Sequence, residues 1–366
     1  MNRRPSQSRS GYDSFSPRNT ARFTASTPGH DFFDARRNTP LHLRLALYFF
    51  IFFLAVIAIN FTINQFVHVR RVSIPVTGLS ESFDGFTLLH ISDLKGASFG
   101  SRQQLFSSAL GKNNFDAVVI TGDMISELGS AQPFYALIDQ IHALNEDAPI
   151  YFIGGDSDPP VTSESYFTGG SPFAPWVLGA QQRGAQLLSA PVAITREEHT
   201  LWLTTGSLLN LDLDTMQSQF ELQYLSARSL GEDNAIELAE YNLQWLADTR
   251  DARKAIQDKD SLVALMHAPP TKDDLLNQID LVLCGHSLGG MMRLPLIGPI
   301  FMPSASLPRY GLFPGPTFHA GLSRQSKTHV YVNTGLGGGG DDYPSFFFRL
   351  FNPPAVSLIT LTPSSI

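Results

Sequence analysis

Cysteine is almost absent from this sequence: Cys284 is the single one among 366 residues. One thiol excludes an intramolecular disulfide and any cysteine-based zinc site. Because Cys284 lies in the apolar run LVLC, it is predicted to be a buried structural thiol.

Lysine is absent from residues 1–44, although this segment is basic. It holds eight Arg and three Asp, net +5, while the remainder holds 18 basic and 30 acidic residues, net −12. An acidic body argues against nucleic acid as a partner. The tail is rich in Ser, Arg, Pro and Asn and has no apolar periodicity, so it is predicted to be disordered.

Charge is missing altogether from residues 45–67, a run of 23 residues. That length spans a bilayer as a helix. A cleaved signal peptide is the alternative, but the leader is long, the run exceeds the usual apolar region of about 7–15 residues, and no small-residue cleavage site follows. We therefore predict an uncleaved, single-pass anchor in the cell membrane. The arginines before it predict a cytoplasmic N-terminus, with residues 72–366 outside the cytoplasm.

Beyond the anchor, short apolar runs alternate with helical patterns. Runs of β-branched and aromatic residues predict strands at 86–92, 115–122, 148–155, 201–207, 261–268, 279–285, 328–335 and 355–362. Helices are predicted at 132–145 and 234–256, and 159–180 is interpreted as a loop or insertion. The pattern predicts one layered α/β domain over residues 72–366.

Acidic residues and histidines stand at the carboxyl ends of five of these strands. They are Asp93, Asp123, Asp156 with Asp158, His267 and His286. A lone aspartate in this place commonly caps the next helix. Ligands gather beyond the carboxyl ends of strands in α/β sheets, so the repeated placement predicts a metal site.

The order of these residues resembles that of the calcineurin-like metallophosphoesterases, over roughly residues 84–363. The segments GGMMRLPLIGPIFMPS (289–304) and VYVNTGLGG (330–338) resemble the membrane-anchored branch of that family. The resemblance implies a four-layer α/β/β/α sandwich. It also implies two ions of Mn, Fe or Zn, which activate water to attack a phosphate ester.

Three family motifs are altered in this chain. Asp-x-His becomes Asp93-Leu94-Lys95, Gly-Asn-His becomes Gly155-Asp156-Ser157, and Gly-His-x-His becomes Gly285-His286-Ser287-Leu288. Lys95 and Leu288 therefore replace two ligands of one family site, in which Asp93 and Asp123 remain. The other site keeps four residues able to coordinate: Asp123, Asp156, His267 and His286.

The resemblance thus predicts one bound ion and one disabled site. Lys95 is hypothesised to replace the charge of the missing ion; the alternative is that it points to solvent. Asp123, Asp156 and His286 are expected to carry the chemistry. Ser157 cannot act as the family's proton donor, and Asp158 is expected to orient its loop.

Residues 285–289 also fit the G-x-S-x-G motif of serine hydrolases, with Ser287 as nucleophile. That motif requires a helix after the serine, but Pro295, Gly298 and Pro299 follow. The order serine, acid, histidine also fails, because no histidine follows Asp341 and Asp342. We therefore predict that His286, and not Ser287, is the functional residue of this segment.

Two functions remain open at this point. One is a membrane-anchored phosphoesterase with impaired activity, acting on a phosphorylated small molecule or a lipid-linked phosphate or pyrophosphate. The other is an inactive relative that binds phosphate or a partner, and the oligomeric state is open in both. The glycine run 335–340 lacks the Lys-Ser/Thr of a phosphate-binding loop and is interpreted as a flexible loop. The other histidines of the domain are interpreted as structural or exposed, and His319 is the first of them to check as an extra ligand.

Overall fold

A computed structural model describes most of the chain. The described residues are 40–125, 129–163, 172–270, 276–294, 297–302, 311–314, 320–338 and 349–364. The chain divides into two units, Met1–Val56 and Ile57–Ile366, and the first is described only from Pro40 onward.

The described helices, in chain order, are α1 (Leu41–Ile63), α2 (Gln104–Leu110), α3 (Gln132–Leu144), α4 (Pro175–Gln181), α5 (Gly206–Asn210), α6 (Leu213–Leu230) and α7 (Asp233–Ala255). The described strands are β1 (His68–Thr77), β2 (Thr87–Ile91), β3 (Ala117–Thr121), β4 (Ile150–Ile153), β5 (Ala185–Leu187), β6 (Val192–Arg196), β7 (His199–Thr205), β8 (Ser261–Leu265), β9 (Leu281–Cys284), β10 (Met292–Leu294), β11 (Gly298–Met302), β12 (Gly311–Leu312), β13 (Gly321–Gln325), β14 (Thr328–Val332) and β15 (Ala355–Ser364). Single turns of 3-10 helix occur at Glu81–Phe83 and Ser101–Gln103.

Helix α1 is long and apolar enough to cross a membrane. It begins directly after Pro40 and includes Arg44, so it lies four residues earlier than the predicted span 45–67. The charge-free run therefore locates the helix but does not mark its ends.

Two six-stranded sheets form the body of the second unit. The first has the order β1-β15-β2-β3-β4-β5, and the second has the order β13-β14-β9-β8-β7-β6. Strands β2 to β5 are parallel, as are β7, β8, β9 and β14. A small antiparallel sheet has the order β10-β11-β12.

Three apolar clusters separate four layers. Leu88 and Val119 of the first sheet pack with Leu203 and Val263 of the second, so the two sheets face each other. The opposite face of the first sheet is covered by the helix pair α3 and α4, through residues such as Phe134. Trp202 and Val282 of the second sheet pack against the end of α7. The predicted α/β/β/α sandwich is therefore confirmed.

Helices α6 and α7 form a hairpin between β7 and β8. Helix α6 begins after Asp212, whose side chain accepts a hydrogen bond from the Thr215 N–H, and ends at Gly231 with φ of +66°. A carboxylate N-cap and a left-handed glycine are standard helix ends. The cap and the glycine therefore limit α6 and set the turn into α7.

Strand β1 begins at His68, four residues before the predicted domain start at residue 72. It pairs in parallel with β15, starting from His68 opposite Ala355. The domain of the second unit thus includes residues that the sequence pattern places in the linker. In the predicted loop 159–180, the described part contains a bridge between Thr162 and Phe173 and the start of α4.

Candidate metal centre

The predicted site residues come from the carboxyl ends of parallel strands in both sheets. Asp123 follows β3, Asp156 follows β4, His267 follows β8 and His286 follows β9. Because the sheets face each other, residues from four separate strand ends reach one place.

Three of these side chains form a tight cluster. Candidate ligand atoms of Asp123, His267 and His286 all lie within 4.8 Å of one another. His267 Nε2 is 3.3 Å from Asp123 Oδ2, and His286 Nδ1 is 3.1 Å from His267 Nε2. We name this group the metal cluster.

The geometry of the metal cluster fits a divalent ion. With metal–ligand bonds of about 2.0–2.2 Å, neighbouring atoms of a tetrahedral site lie roughly 3.3–3.6 Å apart. The observed edges of 3.1 and 3.3 Å are close to that spacing. His267 Nδ1 lies 2.8 Å from the Thr121 carbonyl oxygen and donates to it, which directs Nε2 towards Asp123 and His286.

Asp156 lies at the rim of the metal cluster. Its Oδ2 is 3.4 Å from His286 Nδ1 and 4.0 Å from His267 Nε2, and its side chain is 69% exposed. Exposure leaves this carboxylate free to rotate, so it can complete the coordination of an ion.

Asp93 is fully buried and lies outside the metal cluster as defined by those distances. Its Oδ2 accepts hydrogen bonds from the Ser92 hydroxyl at 2.6 Å and from the His286 N–H at 3.0 Å. Its Oδ1 has no hydrogen-bond partner among the described residues. Asp93 therefore fixes the backbone of His286 and retains one oxygen that a cation could use.

Lys95 points into the site and not to solvent. Its Nζ lies 2.7 Å from Asp123 Oδ2 and 2.9 Å from Ser157 Oγ, and its side chain is 11% exposed. Burial opposes the charge on Lys95, but the negative charges of Asp123 and Asp93 raise its pKa above the usual value. The ammonium group therefore stays charged beside Asp123.

Ser157 and Asp158 shape the loop after β4. The Ser157 N–H and hydroxyl donate to Asp123, at 2.8 Å to Oδ1 and 3.1 Å to Oδ2. Asp158 accepts from the backbone N–H groups of Ile125 at 2.8 Å and Gly155 at 2.9 Å. Burial raises the pKa of Asp158 to about 6. Asp158 thus holds two loops together, as its predicted orienting role requires.

The two histidines differ in charge preference. Burial opposes protonation of His267, but the hydrogen bond to Asp123 and the charge of Asp93 outweigh it and raise its pKa to about 9. Burial lowers the pKa of His286, and the charge on His267 lowers it further. Burial raises the pKa of Asp123, but contacts with His267 and Lys95 outweigh that effect, so its net pKa falls well below the usual range. The metal cluster thus places a carboxylate beside positive charge.

The backbone is strained at several of these residues. Asp93, Asp123 and His286 have φ of 52°, 57° and 67°, and Lys95 and Leu288 both have φ of 48°. Non-glycine residues rarely adopt positive φ, and such strain concentrates at functional sites. Leu288 is buried, and its apolar side chain cannot form a local hydrogen bond that would favour a positive φ.

Close backbone approaches at the site require glycine. A Cβ on Gly285 would collide with Ser92 Oγ and Asp93 Oδ2, and a Cβ on Gly155 would collide with Asp123. These glycines allow the loops after β2, β3, β4 and β9 to meet.

Ser287 has no nucleophile elbow around it. It is 1% exposed, and its N–H donates to the Gly285 carbonyl within a turn. The next described regular element is strand β10, not a helix. Both observations argue against Ser287 as a nucleophile.

The remaining predictions concern the buried thiol, the other histidines and the glycine run. Cys284 is buried, as predicted. His90 is also fully buried, and burial lowers its pKa to about 3. His319, Asp341 and Asp342, and Gly339 and Gly340 of the glycine run, lie outside the described residues.

Sequence reasoning missed two residues that support the site. Asn333, after β14, donates to the His90 carbonyl at 2.8 Å and accepts from the Gly335 N–H at 3.0 Å. The Arg349 guanidinium is buried and donates to the carbonyls of Gly337 and Thr334 at 2.6 and 2.7 Å. The strand-end rule that found the aspartates could have found Asn333; Arg349 has no comparable pattern around it.

Residues 86–290 match the family model for calcineurin-like phosphoesterases. The chain is 25% identical to the uncharacterized metallophosphoesterase YkuE of Bacillus subtilis over 262 residues, covering 71% of this chain and 74% of that protein. It is 25% identical to the phosphodiesterase YaeI of Escherichia coli over 255 residues, covering 69% and 75%.

Among solved structures, the phosphopantetheinyl hydrolase PptH of Mycobacterium tuberculosis is similar over 69% of this chain and 91% of that chain. The identity is 11% and the TM-score 0.33. Such a score adds nothing to the fold assignment, which rests on the sheet topology and the family model.

Proposed function

Because this chain belongs to the calcineurin-like phosphoesterase family, we propose that it is a membrane-anchored phosphoester hydrolase that works with one divalent ion. Four side chains would hold that ion: Asp123, Asp156, His267 and His286. The observation that carries the proposal is the metal cluster, whose ligand atoms all lie within 4.8 Å of one another. Mn, Fe and Zn all suit this mixture of imidazole and carboxylate ligands.

When bound, a divalent ion supplies a Lewis acid that polarises a phosphoryl oxygen and activates water. The protein's own groups orient the ligands. Thr121 fixes the ring of His267, and Ser157 fixes the carboxylate of Asp123.

Lys95 contributes a fixed positive charge. Two of its three N–H groups are used by Asp123 and Ser157, which leaves one for a phosphoryl oxygen. We propose that Lys95 replaces a second ion in neutralising Asp93 and Asp123, and that it also binds the substrate.

Proton transfer to the leaving group is the slow step of the proposed reaction. Ser157 occupies the position of the family's proton donor, and loss of a general acid costs about 10²–10⁴-fold in rate. We therefore propose slow turnover that depends steeply on the leaving group, with activated aryl esters favoured over alkyl leaving groups.

The sequence supports a location at the cell membrane, with α1 as a single-pass anchor. The eight arginines of residues 1–44 favour a cytoplasmic N-terminus and an extracytoplasmic hydrolase domain. Protease added to intact cells should cleave the domain and spare a tag on the N-terminus. Cleavage of the tag instead would reverse this orientation.

The full chain in lipid nanodiscs would test the proposed function. After loading with Mn²⁺, we would measure metal per chain and hydrolysis of bis(p-nitrophenyl) phosphate. The expected result is one ion and measurable turnover, both lost in His267→Ala. His199→Ala, which changes an exposed histidine on β7, is the matched control and should retain both.

A double variant would test the role of Lys95. Lys95→His with Leu288→His is expected to raise the count from one ion to two. Two ions in the unaltered protein would show that Lys95 does not replace a metal.

Ser157 gives specific support to a second candidate function, an inactive relative that binds phosphate. One ion per chain with no turnover of any aryl ester would favour it. Absence of bound metal would overturn the hydrolase proposal.

A further inference from the structure

A large cavity lies beyond the carboxyl ends of both sheets, against the hairpin of α6 and α7. Its volume is about 1220 Å³, above the roughly 300–1,000 Å³ of ordinary small-molecule sites. Helix α6 contributes Phe220 to its wall, and helix α7 contributes Leu238, Tyr241 and Trp245.

The cavity shares a wall with the metal cluster. His267 lines both, and Gly155 and Asp158, on either side of Asp156 in the chain, line the cavity as well. A ligand whose phosphate lies at His267 can therefore extend directly into this space.

The lining excludes a second strongly charged group. None of the described residues that line the cavity is Lys or Arg, and the one carboxylate, Asp158, already accepts from two backbone N–H groups. Away from His267, a nucleotide or polyphosphate would bury further charge without a Lys or Arg to pair it, which is costly.

The aromatic residues present carbon surface. The Trp245 indole N–H donates to the Ser189 carbonyl at 2.8 Å, so its polar atom is satisfied by the protein. The rings of Phe173 and Tyr241 pack edge to face at 6.4 Å. These contacts fix the rings in place, and their carbon surface suits a hydrocarbon ligand.

We propose that this cavity binds the hydrocarbon chain of a phosphodiester whose phosphate lies at the metal cluster. The proposal rests on the proposed hydrolase function and names its substrate class: an amphiphilic phosphodiester with a long alkyl or prenyl group. In the reaction, a water oxygen bonds to phosphorus and the bond to the leaving oxygen breaks. The leaving oxygen takes the electron pair and a proton from water, and the chain stays on the phosphate.

Two synthetic diesters test the proposal in the Mn²⁺-loaded full chain in nanodiscs. They are p-nitrophenyl butyl phosphate and p-nitrophenyl octyl phosphate, used below the concentration at which micelles form. Both release the same phenolate, so the missing proton donor affects them equally. Each buried methylene can improve binding by about fourfold, the equivalent of ~0.8 kcal/mol. We expect kcat/KM to rise at least tenfold from butyl to octyl, mainly through KM.

Two lysine substitutions on helix α6 provide the matched comparison. Phe220→Lys places a charge in the cavity wall and should reduce the octyl-to-butyl ratio by about tenfold. Leu222→Lys makes the same change at a leucine that is 67% exposed and does not line the cavity, so it should keep the ratio.

The outcomes separate this proposal from the proposed function. Turnover of both diesters with equal kcat/KM would overturn the cavity assignment and leave the hydrolase standing. An inactive protein whose thermal unfolding temperature rises with the octyl but not the butyl diester, except in Phe220→Lys, would support the cavity and overturn the hydrolase. Equal loss of the ratio in Leu222→Lys would also overturn the assignment, because that side chain lies outside the cavity.

Discussion

Lys95 pairs with Asp123 and lies in the field of a second buried carboxylate, Asp93. Its Nζ is 2.7 Å from Asp123, whose side chain is 3% exposed, and the charge of Asp93 also acts on it. Two buried carboxylates without a cation would each disfavour the ionised state of the other.

Lys95→Met should therefore destabilise the metal-free protein. Breaking a buried ion pair from one side costs about 3–5 kcal/mol. Urea denaturation in the presence of EDTA measures the effect, with Lys112→Met, at an exposed lysine, as control. Equal midpoints for Lys95→Met and the unaltered protein would contradict the charge-replacement role.

Gly285 gives a second prediction at the scale of one residue. Gly285→Ala places a methyl group against Ser92 and Asp93, and overpacking costs about 1–3 kcal/mol. Gly338→Ala, whose added carbon meets Arg349 at an ordinary 3.6 Å, should cost much less. Denaturant midpoints of the two variants give the comparison, and similar midpoints would show that the loops can move apart.

At the scale of elements, the end of helix α1 is fixed to the segment that precedes β15. Asn60 donates to the Arg349 carbonyl at 2.6 Å and accepts from the Phe351 N–H at 3.1 Å. Asn64 donates to the same carbonyl at 2.7 Å. Asn60 is the one buried residue of α1.

Asn60→Ala should release this segment. The Phe351 N–H, which is only partly buried, loses its partner, and a lost hydrogen bond of this kind costs about 0.5–1.5 kcal/mol. Amide hydrogen exchange should become faster at Phe351. In Asn64→Ala the Phe351 N–H keeps its partner, so equal acceleration in both variants would contradict the assigned contact.

The buried strands were predicted well from the sequence, but strands at the edge of a sheet were not. Runs such as that of β3 were recognised because burial on both faces selects continuous apolar residues. Strand β1 was missed because it contains Arg70, Arg71 and Pro75. These residues are tolerated because β1 lies at the edge of the sheet formed by the described strands, where β15 is its neighbour.

Helix α6 was not predicted, because its sequence lacks a regular apolar pattern. It exposes Leu222, Leu225 and Leu230 instead of presenting one clear apolar stripe to the core. Its apolar residues serve partly to form the cavity wall and the surface, so helical periodicity is weak.

The residues of the site could be predicted from the sequence, but the directions of all their side chains could not. Strand-end positions identified Asp123, His267 and His286, because parallel strands bring their carboxyl ends together. No pattern could show that Asp93 turns towards the His286 N–H, and the sequence left the direction of Lys95 open between the site and solvent. Those directions depend on positive φ values that tertiary contacts impose.

At the scale of the whole molecule, Cys284 reports on global unfolding. Its thiol is fully buried in the second sheet and donates to the Tyr331 carbonyl, and burial raises its pKa. We expect no reaction with a thiol reagent in the native state and one thiol per chain in guanidinium.

Metal binding should slow the labelling of Cys284. An ion at 100 times its dissociation constant stabilises the native state by about 2.7 kcal/mol, which reduces opening roughly 100-fold. In His267→Ala, added Mn²⁺ should have no effect on the rate. Rapid labelling of the native protein would show that Cys284 is exposed by local motion.

Strand β15 lies between β1 and β2 in the first sheet, although 287 positions separate His68 from its partner Ala355. During synthesis β1 therefore emerges long before the strand that covers it. Until residues 355–364 arrive, β1 has no partner and β2 has one open edge, and such edges promote association between chains. The order of the strands thus makes biogenesis the vulnerable stage of this protein. A chaperone that covers β1 would act at the position that β15 later takes.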